Sequence, residues 1–133
     1  MNHFSPPLRF RTGWLGIGWC LVIAVIISSL ASPPPAADSL FMLPHGDKIG
    51  HGFAYFILMG WFAQIYHTPR SRLGYLIGFI LLGVVMEILQ GLGGVREADW
   101  RDAMANSVGV VLAWQVTKQR WGEVLEWLER WYG

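Results

Sequence analysis

Apolar residues fall into four runs along the chain, separated by short polar connections. The first, 13–30 (GWLGIGWCLVIAVIISSL), carries no charge, and Ser32-Pro33-Pro34-Pro35 ends it because proline removes backbone donors and clashes with the preceding turn. The second covers 50–66. The third, 72–92 (RLGYLIGFILLGVVMEILQGL), holds Glu87 and Gln90 near its far end. The fourth is apolar over 103–117 and reaches a spanning length only as 100–117, with its polar first turn included. A bilayer core takes roughly 20 residues of apolar helix, within about 17–25. The pattern predicts an all-α integral membrane bundle of four transmembrane helices forming a single domain over 1–133. A re-entrant segment is the alternative for the fourth run. For the first run, the alternative is a signal peptide cleaved after Ser29-Leu30-Ala31, although the run exceeds the usual apolar core of about 7–15 residues.

The tail changes pattern. In KQRWGEVLEWLERWYG, residues Trp121, Val124, Leu125, Leu128 and Tyr132 recur at helical spacing, with Glu123, Glu126 and Arg130 opposite. Too polar to span, it predicts an amphipathic interfacial helix over 119–132 with tryptophans at headgroup depth. A helix packed on a soluble partner is the second reading.

Composition agrees with lipid as the main solvent. Hydrophobic residues make up 53% of the chain and charged residues 14%, against about 25% charged in ordinary globular domains. A net charge of +1 excludes the strong basic excess that nucleic-acid binding requires. Cys20 is the single cysteine, so no intrachain disulfide forms, and its apolar setting assigns it to packing. Lys and Arg in the connections set orientation. Arg9, Arg11, Arg70, Arg72, Lys118, Arg120 and Arg130 fall on one side and outnumber Lys48, Arg96 and Arg101 on the other. The richer side is expected to be cytoplasmic, with both termini inside.

This topology gathers the ionisable groups at the outer ends of the runs. In DKIGHGFAYF, Asp47, His51 and Tyr55 share one helical stripe, with Lys48 on a neighbouring face. Glu87 and Gln90 stand at i, i+3. The connection GGVREADWRD supplies Arg96, Asp99 and Asp102, and Asn106 completes a second stripe if the helix starts with Asp99 as N-cap. An acid inside a spanning segment costs about 2.5–3.5 kcal/mol on insertion scales, so Glu87 is expected to face the bundle interior beside a partner. Each of the remaining polar residues has a plain structural role available: helix cap, interfacial cation or interhelical hydrogen bond. Gly50, Gly52 and Gly60 allow close helix approach, and Trp14, Trp61 and Trp100 belong to packing or an interfacial belt.

As a set, the polar residues fit several chemistries. His51, oriented by a carboxylate, resembles a general base. Glu87, Asp99 and Asp102 complete the candidate catalytic group; Asp47, Lys48, Tyr55, Gln90, Arg96 and Asn106 form the candidate binding group, with Lys48 and Arg96 suited to phosphate or carboxylate. Ser107 is the sole hydroxyl near the cluster, a weak basis for a nucleophile. By residue type, His51, Glu87, Asp99 and Asp102 also suit a divalent metal, as in a metal-dependent hydrolase. A non-catalytic cluster that is structural or binds a partner protein fits the same residues, and so does a proton relay through Glu87 and His51. These residues leave open whether the chain is an enzyme.

The same residues carry a resemblance. Asp47-Lys48-x-x-His51-x-x-x-Tyr55, Glu87-x-x-Gln90, Arg96, Asp99-x-x-Asp102 and Asn106-x-x-Gly109, in this order, resemble the VanZ-like family of bacterial membrane proteins over roughly 43–117. The individual motifs are short; their combination and order are the specific part. The resemblance implies a multi-pass protein of the bacterial cytoplasmic membrane. It also implies a polar site facing outside, with a membrane lipid, an envelope lipid precursor or a lipoglycopeptide antibiotic as ligand. The name-giving member resembles an accessory in teicoplanin resistance; membership alone assigns no such role to this chain.

Overall fold

The computed structural model describes residues 7–31, 46–94 and 98–133, except the side chains of residues 46, 47 and 120. Their regular elements are helical: α1 (Arg11–Leu30), α2 (Gly46–Ile65), α3 (Pro69–Leu92), α4 (Trp100–Thr117), a 3-10 turn (Arg120–Glu123) and α5 (Val124–Tyr132). The fold is all-α, as expected. α2 starts four residues earlier than the apolar run suggests, which puts Asp47 inside its first turn rather than at a cap. α3 starts at Pro69, where a fixed φ suits the first helical position, and Thr68 caps it by accepting the Ser71 N–H. α3 ends at Gly93-Gly94, where Gly94 takes φ +67 and turns the chain.

The core lies between α1, α2, α3 and α4. Phe62 is fully buried and stacks on Tyr75 with ring centroids 4.8 Å apart, while Phe79 closes on it at 5.4 Å. α1 reaches this layer through Gly18: a Cβ there would stand 2.9 Å from Trp61 Cδ1. α2 and α4 cross backbone to backbone at Gly52 and Gly109. Gly50 and Gly60, expected to serve similarly, face open space.

Two helices, α1 and α3, are long and apolar enough to cross a membrane. Polar residues on α2 (Lys48, His51, Gln64) and α4 (Arg101, Asp102, Asn106) lower the hydropathy of the two remaining segments in which spans were expected. Yet the burial pattern is the same on all four helices. Phe53, Ile77, Leu81, Val108 and Leu112 are exposed, whereas Glu87, Gln90, Asp102 and Asn106 are buried. An aqueous solvent favours the reverse distribution. Cys20, expected to pack, lies on the exposed side of α1.

Hydrogen bonds define two ends of the bundle. At one, Arg72 donates to the carbonyls of Ala63 (2.7 Å), Tyr66 (2.8 Å) and Thr117 (3.1 Å), satisfying groups at the C-terminal ends of α2 and α4. Gln64 holds the tail there: its amide nitrogen donates to the Trp121 carbonyl, and its Oε1 accepts the Val124 N–H at 2.7 Å. Glu129 of α5 accepts the N–H groups of Arg9 (2.7 Å) and Phe10 (2.9 Å) and the Trp14 indole N–H (2.7 Å), at the start of α1. Burial pushes the Glu129 carboxyl up, but these hydrogen bonds, with Phe10 N–H foremost, hold it below its ordinary value overall.

The tail corrects the expected amphipathic split. The helix begins with a 3-10 turn and is directed by packing against the bundle. Leu125 is buried in a small cluster with Leu8 and Ile65, and Leu128 packs beside them, while Val124, Trp127, Trp131 and Tyr132 face outward. Glu126, expected on the polar outer face, is buried, and its Oε1 lies 3.1 Å from His67 Nε2. That is ion-pair distance, although the pair does not meet hydrogen-bond geometry.

Candidate functional site at the junction of α2, α3 and α4

At the opposite end, Asp99 caps α4, its Oδ1 accepting the Arg101 N–H at 3.0 Å, as the sequence predicts. One turn on, Asp102 faces inward and is buried. Lys48, from the first turn of α2, bridges the two, with Nζ 3.3 Å from Asp99 Oδ2 and 3.2 Å from Asp102 Oδ1. The Arg101 N–H holds the Asp99 carboxyl below its ordinary value, opposed by desolvation and assisted by Lys48.

Glu87 joins this network from α3. Its Oε1 accepts the Asp99 N–H at 2.6 Å, so the partner expected for a buried acid is the backbone at the cap of α4. Four candidate residues, Lys48, Glu87, Asp99 and Asp102, thus form one connected group drawn from three helices.

Deeper in the bundle, Tyr55 and Asn106 meet at Gly83. A Cβ on Gly83 would lie 3.1 Å from Asn106 Cβ and 3.5 Å from Tyr55 Cε1. Tyr55 is 1% exposed and Asn106 3%. The Tyr55 hydroxyl and Asn106 Oδ1 are both buried without a hydrogen-bond partner among the described residues. Gly83 sits one turn before Glu87 on the same face of α3, so the polar group continues inward from the ion-pair network.

The remaining candidates are placed differently. Gln90 is buried but donates to the Ser29 carbonyl at 2.6 Å, tying α3 to the end of α1. Ser107 donates to the Ala103 carbonyl at 2.9 Å, a local helix contact that gives it no base. His51 lies half-buried one turn before Tyr55 on α2. The Asp47 side chain and Arg96 lie outside the described residues, and so does the expected carboxylate support for His51 from Asp47.

Among the described residues no three His, Cys, Asp or Glu side chains are grouped as ligands. An ammonium already bridges Asp99 and Asp102, the position a divalent cation would need.

Sequence reasoning missed Gly83, although Gly83, Glu87 and Gln90 share a stripe at i, i+4 and i+7. Arg72 was counted only as an orienting charge. Compared with known proteins, the chain matches no family model, no curated protein and no solved structure.

Proposed function

We propose that this chain is a VanZ-like integral membrane protein that binds an amphiphilic cell-envelope lipid, or an amphipathic antibiotic, at its Lys48 end. In this reading all four long helices cross the bilayer of a bacterial cytoplasmic membrane, α5 lies along the cytoplasmic face, and the Lys48 end faces outside. Several features support it. The outward faces of α2 and α4 are as apolar as those of α1 and α3. The cations that outnumber those opposite, including Arg9 and Arg72, share the end where α5 docks. The family reading rests on the polar motifs alone.

One observation carries the ligand-binding reading over a purely structural cluster. Buried polar groups in a finished structure are paired, because each orphan costs about 1–3 kcal/mol. The Tyr55 hydroxyl and Asn106 Oδ1 are both orphans among the described residues, on side chains that meet at Gly83, one turn before Glu87 on α3. A ligand's polar group that reached them would recover that energy on binding. Neither the geometry nor the hydroxyl supply favours covalent catalysis, so binding is the leading activity.

The test is mass spectrometry of lipids and small molecules that copurify with the protein. An amphiphile retained by wild type and lost from both Tyr55→Phe and Glu87→Gln supports the reading. Identical copurifying molecules in all three proteins would overturn it. Reporter fusions after Tyr66 and after Gly94 test sidedness: a cytoplasmic signal after Gly94 reverses the orientation.

A further inference from the structure

Among the described residues, three apolar grooves run along the helices. One, of about 470 Å³, lies between α1 and α3 beside Trp19 and Phe79 and has no charged side chain in its wall. A second, of about 410 Å³, lies beneath α5 and is likewise uncharged. The third, of about 510 Å³, follows the crossing of α2 and α4. Phe53, Phe56, Val108 and Leu112 form its walls, Gly52 and Gly109 its floor, and Lys48 one end. Its volume is that of an ordinary ligand site.

Lys48 therefore belongs to two structures. Its stem closes the groove, and its ammonium sits between Asp99 and Asp102. The surroundings of that ammonium are not simply basic. Among the described residues, three carboxylates, Glu87, Asp99 and Asp102, face two cations, Lys48 and the exposed Arg101. Glu87 and Asp102 are buried, while the Asp99 side chain is 38% exposed and that of Lys48 23%. Among the described residues, the groups at the mouth that a ligand can reach thus include an ammonium and a carboxylate side by side, at the end of an otherwise apolar groove.

We propose that the α2–α4 groove holds an acyl chain of a phospholipid whose head joins a phosphate to a primary ammonium. The phosphate meets Lys48, with Arg101 beside it, and the ammonium donates to Asp99. A purely anionic head would satisfy Lys48 but face the carboxylate excess. A quaternary ammonium has no N–H to give Asp99. This inference rests on the lipid-binding reading above and specifies its headgroup and chain path.

The full-length protein is reconstituted in nanodiscs containing equal parts phosphatidylethanolamine, phosphatidylglycerol and phosphatidylcholine, then released into the gas phase for native mass spectrometry. Wild type should retain phosphatidylethanolamine over the other two by roughly tenfold or more, the worth of one charge-assisted hydrogen bond. Asp99→Asn should lose the preference but keep lipid binding; Asn caps a helix as well as Asp, so the fold is spared. Val108→Trp, at an exposed wall position, should fill the groove and lower retention of all three lipids. Equal retention of the three lipids by wild type overturns the headgroup assignment. Unchanged retention by Val108→Trp overturns the groove, yet leaves the lipid-binding reading intact if Tyr55→Phe still loses its copurifying amphiphile. Excess glycerophosphoethanolamine, which has no acyl chain, should compete weakly; full displacement would assign recognition to the soluble head and overturn the groove's part in it.

Discussion

Gly109 of α4 meets Gly52 of α2 backbone to backbone: a Cβ on Gly109 would run into the Gly52 carbonyl. Because the obstacle is backbone, no side-chain rotation relieves it. Gly109→Ala should push the helices apart and stretch the bridge from Lys48 to Asp99 and Asp102, at an overpacking cost of about 1–3 kcal/mol or more. Gly50→Ala, where nothing lies within 4 Å of the new methyl, should be neutral or stabilising by up to ~1 kcal/mol. Thermal unfolding of the detergent-solubilised proteins checks the contrast, and equal midpoints for the two variants would contradict the close crossing.

Arg72 serves three carbonyls at once, and a guanidinium has the fork to do so. Arg72→Lys keeps the charge and loses the fork. A hydrogen bond to a charged group contributes roughly 1.5–3 kcal/mol, so the substitution should cost about 2–4 kcal/mol. If only the charge mattered, Arg72→Lys would unfold at the wild-type temperature.

Glu129 predicts a pH dependence at the α1–α5 junction. Its carboxyl titrates below the ordinary 4.5 in the folded protein. A depressed carboxylate contributes stability that is fully present above its unfolded-state pKa and is lost as pH falls through the folded one. Hydrogen exchange at the Arg9 and Phe10 amides should therefore be slow at neutral pH and accelerate only below about pH 4.5. Glu129→Gln should exchange fast at both. Protection that persists in the Gln variant would mean these amides are held by something else.

Tyr55→Phe separates stability from binding. Removing a hydroxyl that has no partner among the described residues should leave the unfolding midpoint unchanged or raise stability by about 1 kcal/mol. A loss of that size would reveal a structural partner for the hydroxyl and weaken its assignment to a ligand.

The inward residues were legible because an apolar solvent leaves polar groups few places to go. Glu87 was expected to face inward and does, the candidates Asp102, Asn106 and Tyr55 are buried with it, and Asp99 caps α4 as its type and position indicate. Partners were less legible. Spacing places Gln90 on the same face as Glu87 but cannot show that it reaches back to Ser29. Gly50, Gly52 and Gly60 of α2 look alike in sequence, and of these only Gly52 meets a neighbouring backbone, because the crossing point depends on how α4 tilts. For α5, periodicity divides the helix into faces without saying which face meets protein. Leu125 and Glu126 are adjacent in sequence, and packing against residues more than fifty positions away buries both.

The start of α1 has a consequence in time. The carboxylate that receives the Arg9 and Phe10 amides is 119–120 residues further along the chain. At about 5–20 residues synthesised per second, α1 emerges roughly 6–24 s before Glu129 exists. Throughout that interval the start of the helix has no such acceptor, and until α2 and α3 are made its apolar sides have neither to pack on. In the membrane reading proposed above, lipid or the insertion machinery shelters the nascent helix, and docking of α5 comes last. Chains truncated before Glu129 should then be preferred substrates for membrane quality control.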